Sequence, residues 1–164
     1  MNAPPPPPPV PDRVRWPLPA PMAAALEQAR IAADAGEVPV GAVVVRQGTI
    51  VAAAHNEPRG HHDPTAHAEI LAIRRAAHVL GTSRLMDCDL YVTLEPCAMC
   101  AGAITHARIA RLYYGAADEK GGAVEHGPRL FDRAEWLHRP DVYAGIGEAE
   151  AAALLRAFFA ERRK

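Results

Sequence analysis

Two short clusters carry the residue types that hold a metal ion: His67-Ala68-Glu69 and Pro96-Cys97-Ala98-Met99-Cys100. Cys97 and Cys100 are three apart, so on a helix they share a face. Pro96 suits a helix start, which puts both thiols in the first turn. There the helix dipole and unbonded backbone N–H groups favour thiolate, the form that binds zinc. The pair alone leaves three readings open: a zinc site, a redox dithiol or chance proximity. A structural zinc site would want four protein ligands, commonly with a second cysteine pair or a histidine pair. The third cysteine, Cys88, lies between Asp87 and Asp89, acids that disfavour thiolate, and reads as an ordinary free thiol. Three protein ligands would leave a fourth position for water, the pattern of a catalytic zinc. His67 is the best third ligand among eight histidines, because a glutamate follows two residues on. His78 and His106 read as structural.

Glu69 reads as either a surface carboxylate or a general base facing that water. Residues two apart point about 200° apart on a regular helix. His67 and Glu69 can therefore line one pocket only where two layers meet above the motif, or if His67 reaches sideways.

The elements that must position these residues are legible from periodicity. The pattern from Met22 to Ala35 is helical, with Met22, Leu26, Ala29 and Ala33 on one face and Gly36 as a C-cap residue. Val38–Val45 reads as a buried strand, and Gln47-Gly48 as a hairpin turn into a second strand, Thr49–Ala54. A polar loop, Asn56–His62, leads to Asp63-Pro64, a helix start, and that helix runs to Leu80 and stops at Gly81. Leu90–Leu94 reads as a strand, Pro96 to about His106 as a helix and Ile109–Tyr114 as a strand. A polar loop over 116–128, a short helix between Arg129 and His138 and a strand Val142–Ile146 follow. Ala151, Leu154, Leu155, Phe158 and Phe159 carry the spacing of an amphipathic helix. Strands alternating with helices imply an α/β layered domain with a largely buried sheet.

Composition bounds the rest. Ten of the 16 prolines fall in the first 21 residues, with Pro4–Pro9 unbroken. Such a run favours extended polyproline, so residues 1–21 read as a Pro-rich disordered tail before one domain over 22–164. Hydrophobic content of 49% with 23% charged residues excludes disorder after residue 21. The formal charge of −1 excludes a global field that draws the protein to nucleic acid, so any such contact needs a local patch. No stretch reaches the ~20 apolar residues of a membrane span, and prolines occupy the place of a signal peptide's apolar core. The expectation is a soluble cytoplasmic protein with reduced thiols.

The two clusters together resemble the zinc-binding signature of the cytidine deaminase superfamily. The resemblance extends to Glu37–Val43, Asn56, His62–Ile70 and Leu90–Cys97, which are similar to bacterial tRNA-specific adenosine deaminases, and it spans about residues 22–164. It implies a three-layer α/β/α fold with a central five-stranded mixed sheet. It implies hydrolytic deamination of the wobble adenosine in a tRNA anticodon stem-loop. The alternative is a zinc deaminase of a free base or nucleoside, guanine or cytosine/cytidine. On this resemblance His67, Cys97 and Cys100 hold one Zn2+ per subunit, and Glu69 shuttles protons. Asn56 and the backbone N–H of Ala68, with Pro39 and Val40, hold the base. The resemblance further implies that Asp118, Lys120, Phe159, Arg162 and Arg163 contact RNA and that the protein is a homodimer. The chain departs from the family pattern at His55, at Ala117, where arginine is common, at Gly121, where threonine is, and over Val124–Pro128.

Overall fold

The computed structural model describes residues 17–162. The expected Pro-rich tail lies outside the described residues up to residue 16, as do Arg163 and Lys164. The elements in order are α1 (Ala20–Asp34), β1 (Gly41–Arg46), β2 (Thr49–His55), α2 (Ala68–Leu80), β3 (Cys88–Leu94), α3 (Ala98–Ala107), β4 (Arg111–Ala116), a single 3-10 turn (Leu130–Asp132), β5 (Asp141–Tyr143) and α4 (Glu148–Glu161). The five strands form one sheet in the order β2-β1-β3-β4-β5. β1 pairs antiparallel with β2 and β3, while β3, β4 and β5 run parallel. The sheet is therefore mixed, and helices cover both faces.

The two-residue period of β1 explains the layering. Alternate side chains of a strand point to opposite faces. Ala42 and Val44 enter one core with Leu90, Val92, Leu112, Ala72, Ala76 and Ile104, beneath α2 and α3. Val43 and Val45 enter the other with Met22, Ala25, Leu26 and Ala151, beneath α1 and α4. An interior strand buried on both faces reads as a continuous apolar run, as Ala42–Val45 does.

Several boundaries differ from the expectations, each for a local reason. β1 starts at Gly41, because Pro39 has no N–H and the Val40 N–H turns back to Val38 O at 2.8 Å. α2 starts at Ala68, five residues after Asp63. The Asp63 side chain accepts instead from the Thr65 N–H and hydroxyl, at 2.8 and 2.7 Å. An aspartate that closes a local turn on the residue two ahead no longer caps a helix. The helix ends at Gly81 as expected, in the left-handed conformation with φ 65°.

α1 begins at Ala20, and its buried stripe is Met22, Ala25, Leu26, Ala29 and Ala32, with Ala33 off it. β3 begins at Cys88 rather than Leu90. The expected helix between Arg129 and His138 contracts to the 3-10 turn, where Phe131 is buried edge-on against Trp136. β5 is three residues, Asp141–Tyr143, and only the Ile146 N–H continues the pairing, to Tyr114 O. In α4, Ala151 and Phe158 are buried and Phe159 is exposed. No described helix is long and apolar enough to cross a membrane.

Candidate active site

Sheet register brings the site to one edge of the fold. Gly41 opposes His55 and Ala42 opposes Val92, so the end of β2 and the end of β3 lie at the same end of the sheet. α2 and α3 both start there. Each helix begins directly after a candidate ligand. His67 precedes α2 with φ −74° and ψ 152°, and Cys97 precedes α3 with φ −73° and ψ 174°. Both are extended, outside the helices, while Glu69 and Cys100 lie inside the first turns. This removes the 200° difficulty: His67 is not on the helix that carries Glu69, so both can face one space.

His67 Nδ1 lies 3.7 Å from Cys97 Sγ and 3.6 Å from Cys100 Sγ. All three donor atoms fall within 4.8 Å of one another. Zinc bonds of about 2.3 Å to sulfur and about 2.0 Å to nitrogen, at a tetrahedral angle, separate N and S by about 3.6 Å. The donor set fits zinc in number, type and spacing. Cys100 is buried, whereas His67 and Cys97 are half-buried, so the group has an open side. Cys88 stands apart, buried in β3, where desolvation and the Asp87 charge push its thiol up to about 11.

The electrostatics of the group are those of a proton-sharing cluster. Burial pushes the Glu69 carboxyl up to about 7, reinforced by the Cys97 charge. The Cys100 thiol donates to Cys97, and this bond with the His67 contact draws Cys97 down to about 4. Cys100 is correspondingly pushed up, first by that hydrogen bond and then by burial. His67 rises through its hydrogen bond to Cys97.

The surrounding loops are tied in by buried polar groups. Asn56 is buried, its N–H donates to Val40 O at 3.0 Å, and its Oδ1 accepts the Ala68 N–H at 2.8 Å. That N–H, expected to meet the base, donates here to Asn56 Oδ1. Glu37 is buried and accepts the N–H groups of Arg59 and Gly60 at 2.9 and 2.8 Å. Glu95 is buried and accepts from five donors of the segment after β4.

A separate cavity of about 700 Å³ is lined by Val38, Leu94, Asp118, Lys120, Phe159 and Arg162, among others. It gathers four of the five residues expected to contact RNA. Arg162 already makes two contacts here, its guanidinium 3.6 Å from the Phe158 ring centre and bonded to Gly36 O at 2.9 Å.

The sequence profile of the MafB19-like deaminases matches residues 19–163. The tRNA-specific adenosine deaminase of Agrobacterium fabrum is 56% identical over 142 residues, 87% of this chain and 93% of that protein. This chain belongs to the tRNA-specific adenosine deaminases of the MafB19-like deaminase family. A solved structure from a study of A-to-I editing by tRNA:A34 deaminases at the wobble position superposes with a TM-score of 0.81 at 55% identity, covering 82% of this chain and 98% of that one. The guanine deaminase of Nitrosomonas europaea superposes with a TM-score of 0.74 at 30% identity, covering 86% and 84%. These neighbours share the cytidine deaminase-like three-layer α/β/α architecture.

Sequence reasoning on this deaminase passed over the structural part of Glu37 and Glu95. A glutamate next to a proline or valine carries no pattern that separates a buried acceptor from a solvated surface charge. The one available signal is indirect: Glu95 faces a long loop containing three glycines, Gly121, Gly122 and Gly127, and such a loop needs its backbone N–H groups satisfied somewhere.

Proposed function

We propose that this protein hydrolyses the wobble adenosine of a tRNA anticodon to inosine, releasing ammonia. The observation that carries the reading is the donor triangle of His67, Cys97 and Cys100, open on one side and backed by the buried carboxyl of Glu69. A zinc ion held there would supply water acidified from a pKa of 15.7 to about 7, and so a nucleophile at neutral pH. Glu69 takes that water's proton and delivers it to N1 of the adenine ring. With N1 protonated the oxygen adds to C6, and Glu69 then moves the remaining hydroxyl proton to the amino group, so that the C6–N bond breaks and ammonia leaves. A carboxyl held near neutrality suits both directions of transfer. Asn56, its amide fixed by the Ala68 N–H, and the Pro39-Val40 backbone form the wall that orients the base. Asp118, Lys120, Phe159 and Arg162, with Arg163, contact the anticodon stem-loop. The resemblance further supports a cytoplasmic homodimer with one zinc per subunit, and a catalytic domain over 22–164 behind a Pro-rich tail.

The likeness to a guanine deaminase favours one second reading, the same chemistry on a free base. One experiment separates them. Metal content is measured on the purified protein, and ammonia release is followed with an anticodon hairpin, guanine and cytidine in parallel. The proposal expects about one zinc per chain and inosine in the hairpin. Turnover of guanine or cytidine with an inert hairpin would overturn it.

A further inference from the structure

Glu95 lies between the last residue of β3 and Pro96-Cys97, and its side chain is fully covered. Oε2 accepts the Asp118 N–H at 3.0 Å and a bond with His126 Nδ1 at 2.7 Å. Oε1 accepts the N–H groups of Val124, Glu125 and His126 at 3.2, 2.8 and 2.9 Å. All five donors belong to the segment that follows β4. The wrap is close: a Cβ on Gly122 would stand 2.5 Å from Glu95 Cδ and 2.5 Å from Asp118 O. Two backbone bonds seal it, Glu95 N–H to Ala116 O at 2.8 Å and Ala123 N–H to Pro96 O at 2.9 Å. Asp118 extends the arrangement outward, its Oδ1 accepting from the N–H groups of Lys120 and Gly121 at 3.1 and 2.9 Å.

The segment so held has no helix or strand of its own between Ala117 and Arg129. Its backbone would otherwise be satisfied by water and free to move. It supplies Asp118 and Lys120 to the 700 Å³ cavity. We propose that Glu95 is the positioning residue of this wall. Its carboxylate folds residues 117–126 around itself, so that the strand end delivering the Cys97 ligand also fixes the surface that meets the substrate. The substrate half of this statement rests on the function proposed above; the loop half does not.

The test uses the zinc-loaded full chain and the Glu95→Gln variant, with His126→Ala as a milder second. A glutamine amide presents donors where one carboxylate oxygen accepted, so backbone N–H groups lose their partner. Backbone exchange with deuterium at Asp118 and Val124–His126 accelerates by about tenfold or more, while α3 keeps its protection. Zinc content stays at wild type. KM for the anticodon hairpin rises by about tenfold or more and kcat changes less, the split expected when binding geometry is lost and chemistry is kept. His126→Ala, which removes one of five donors, falls between wild type and Glu95→Gln on both readouts. Unchanged exchange at those amides in Glu95→Gln overturns the proposal, as does a fall in kcat at constant KM, which would place the effect on the metal ligand. Should Glu95→Gln not fold, unchanged exchange at Asp118 and Glu125 in His126→Ala overturns it. A hairpin inert with the wild-type protein would defeat the proposed function alone, since exchange judges the loop by itself.

Discussion

Asn56 Oδ1 accepts the Ala68 N–H at 2.8 Å, and this one bond ties the end of β2 to the first turn of α2. It joins two residues twelve apart in sequence across a buried interface, and it sets which way the Asn56 amide group faces. The oxygen is held by the protein, so the –NH2 end is the end that can meet a base.

Substitution at Asn56 should therefore separate fold from recognition. Asn56→Ala leaves the Ala68 N–H buried without a partner, which costs about 1–3 kcal/mol and lowers the melting temperature. Asn56→Asp keeps the acceptor and removes the donor. The expected outcome is a near-native melting curve with at least about tenfold lower kcat/KM on the hairpin. Thermal melts and steady-state kinetics on both variants check this; equal activity losses at equal stability would contradict it.

Glu69 is buried beside the donor triangle and is not among the residues that line the cavity with Asp118, Lys120, Phe159 and Arg162. Glu69→Gln should thus retain zinc and hairpin affinity while kcat falls on the order of 100- to 10,000-fold, the usual contribution of a positioned general acid–base. Metal analysis and ammonia assays on one preparation measure both quantities. Turnover within a few fold of wild type would remove the proton role from this residue.

Loss of a donor should act on stability and chemistry together. Cys100→Ala removes the buried corner of the triangle, and chelation empties it reversibly. Either treatment should lower kcat by about 1,000-fold or more, since several kcal/mol of activation is forfeited. Both should also lower the melting temperature, because an ion bound only by the folded chain stabilises it. Added zinc should restore the chelated wild type and not the variant. Calorimetry alongside the activity assay reads both effects.

His126 gives a pH-dependent prediction. Its hydrogen bond to Glu95 raises its pKa above the ordinary histidine value of 6.5. A raised folded-state value means the stabilisation is fully present below the unfolded pKa and is lost as pH rises through the folded value. The gap in urea stability between wild type and His126→Ala should then be widest below the ordinary histidine value of about 6.5 and shrink as pH rises above it. A gap that widens with rising pH would show that the neutral ring makes the contact.

The chemistry was more legible in the sequence than its framing. His67, Cys97 and Cys100 could be singled out because ligand types and spacing are local facts. Their convergence depends on sheet register, which the alternation of Ala42–Val45 implies only in outline. The relation of His67 to Glu69 was obscured because Asp63-Pro64 has the composition of a helix start; the Thr65 contact, not visible in composition, moves that start to Ala68. The helix expected between Arg129 and His138 contracts because the backbone bonds there close isolated three-residue turns, Asp132 N–H to Arg129 O and Trp136 N–H to Arg133 O, while Phe131 packs edge-on against Trp136. The burial of Glu37 carries no signal in composition and that of Glu95 only the indirect one of its glycine-containing partner loop, since burial of a carboxylate is decided by distant backbone groups.

His67 and Cys97 each stand at a seam, the last extended residue before a helix, and both seams face the same rim of the molecule. The donor triangle that could hold a metal is thus built into the helix starts, while the loops of residues 56–66 and 117–128 surround it without helix or strand of their own. Such an architecture lets evolution trade one guest for another by redrawing the rim, with the bond-breaking apparatus inherited unchanged.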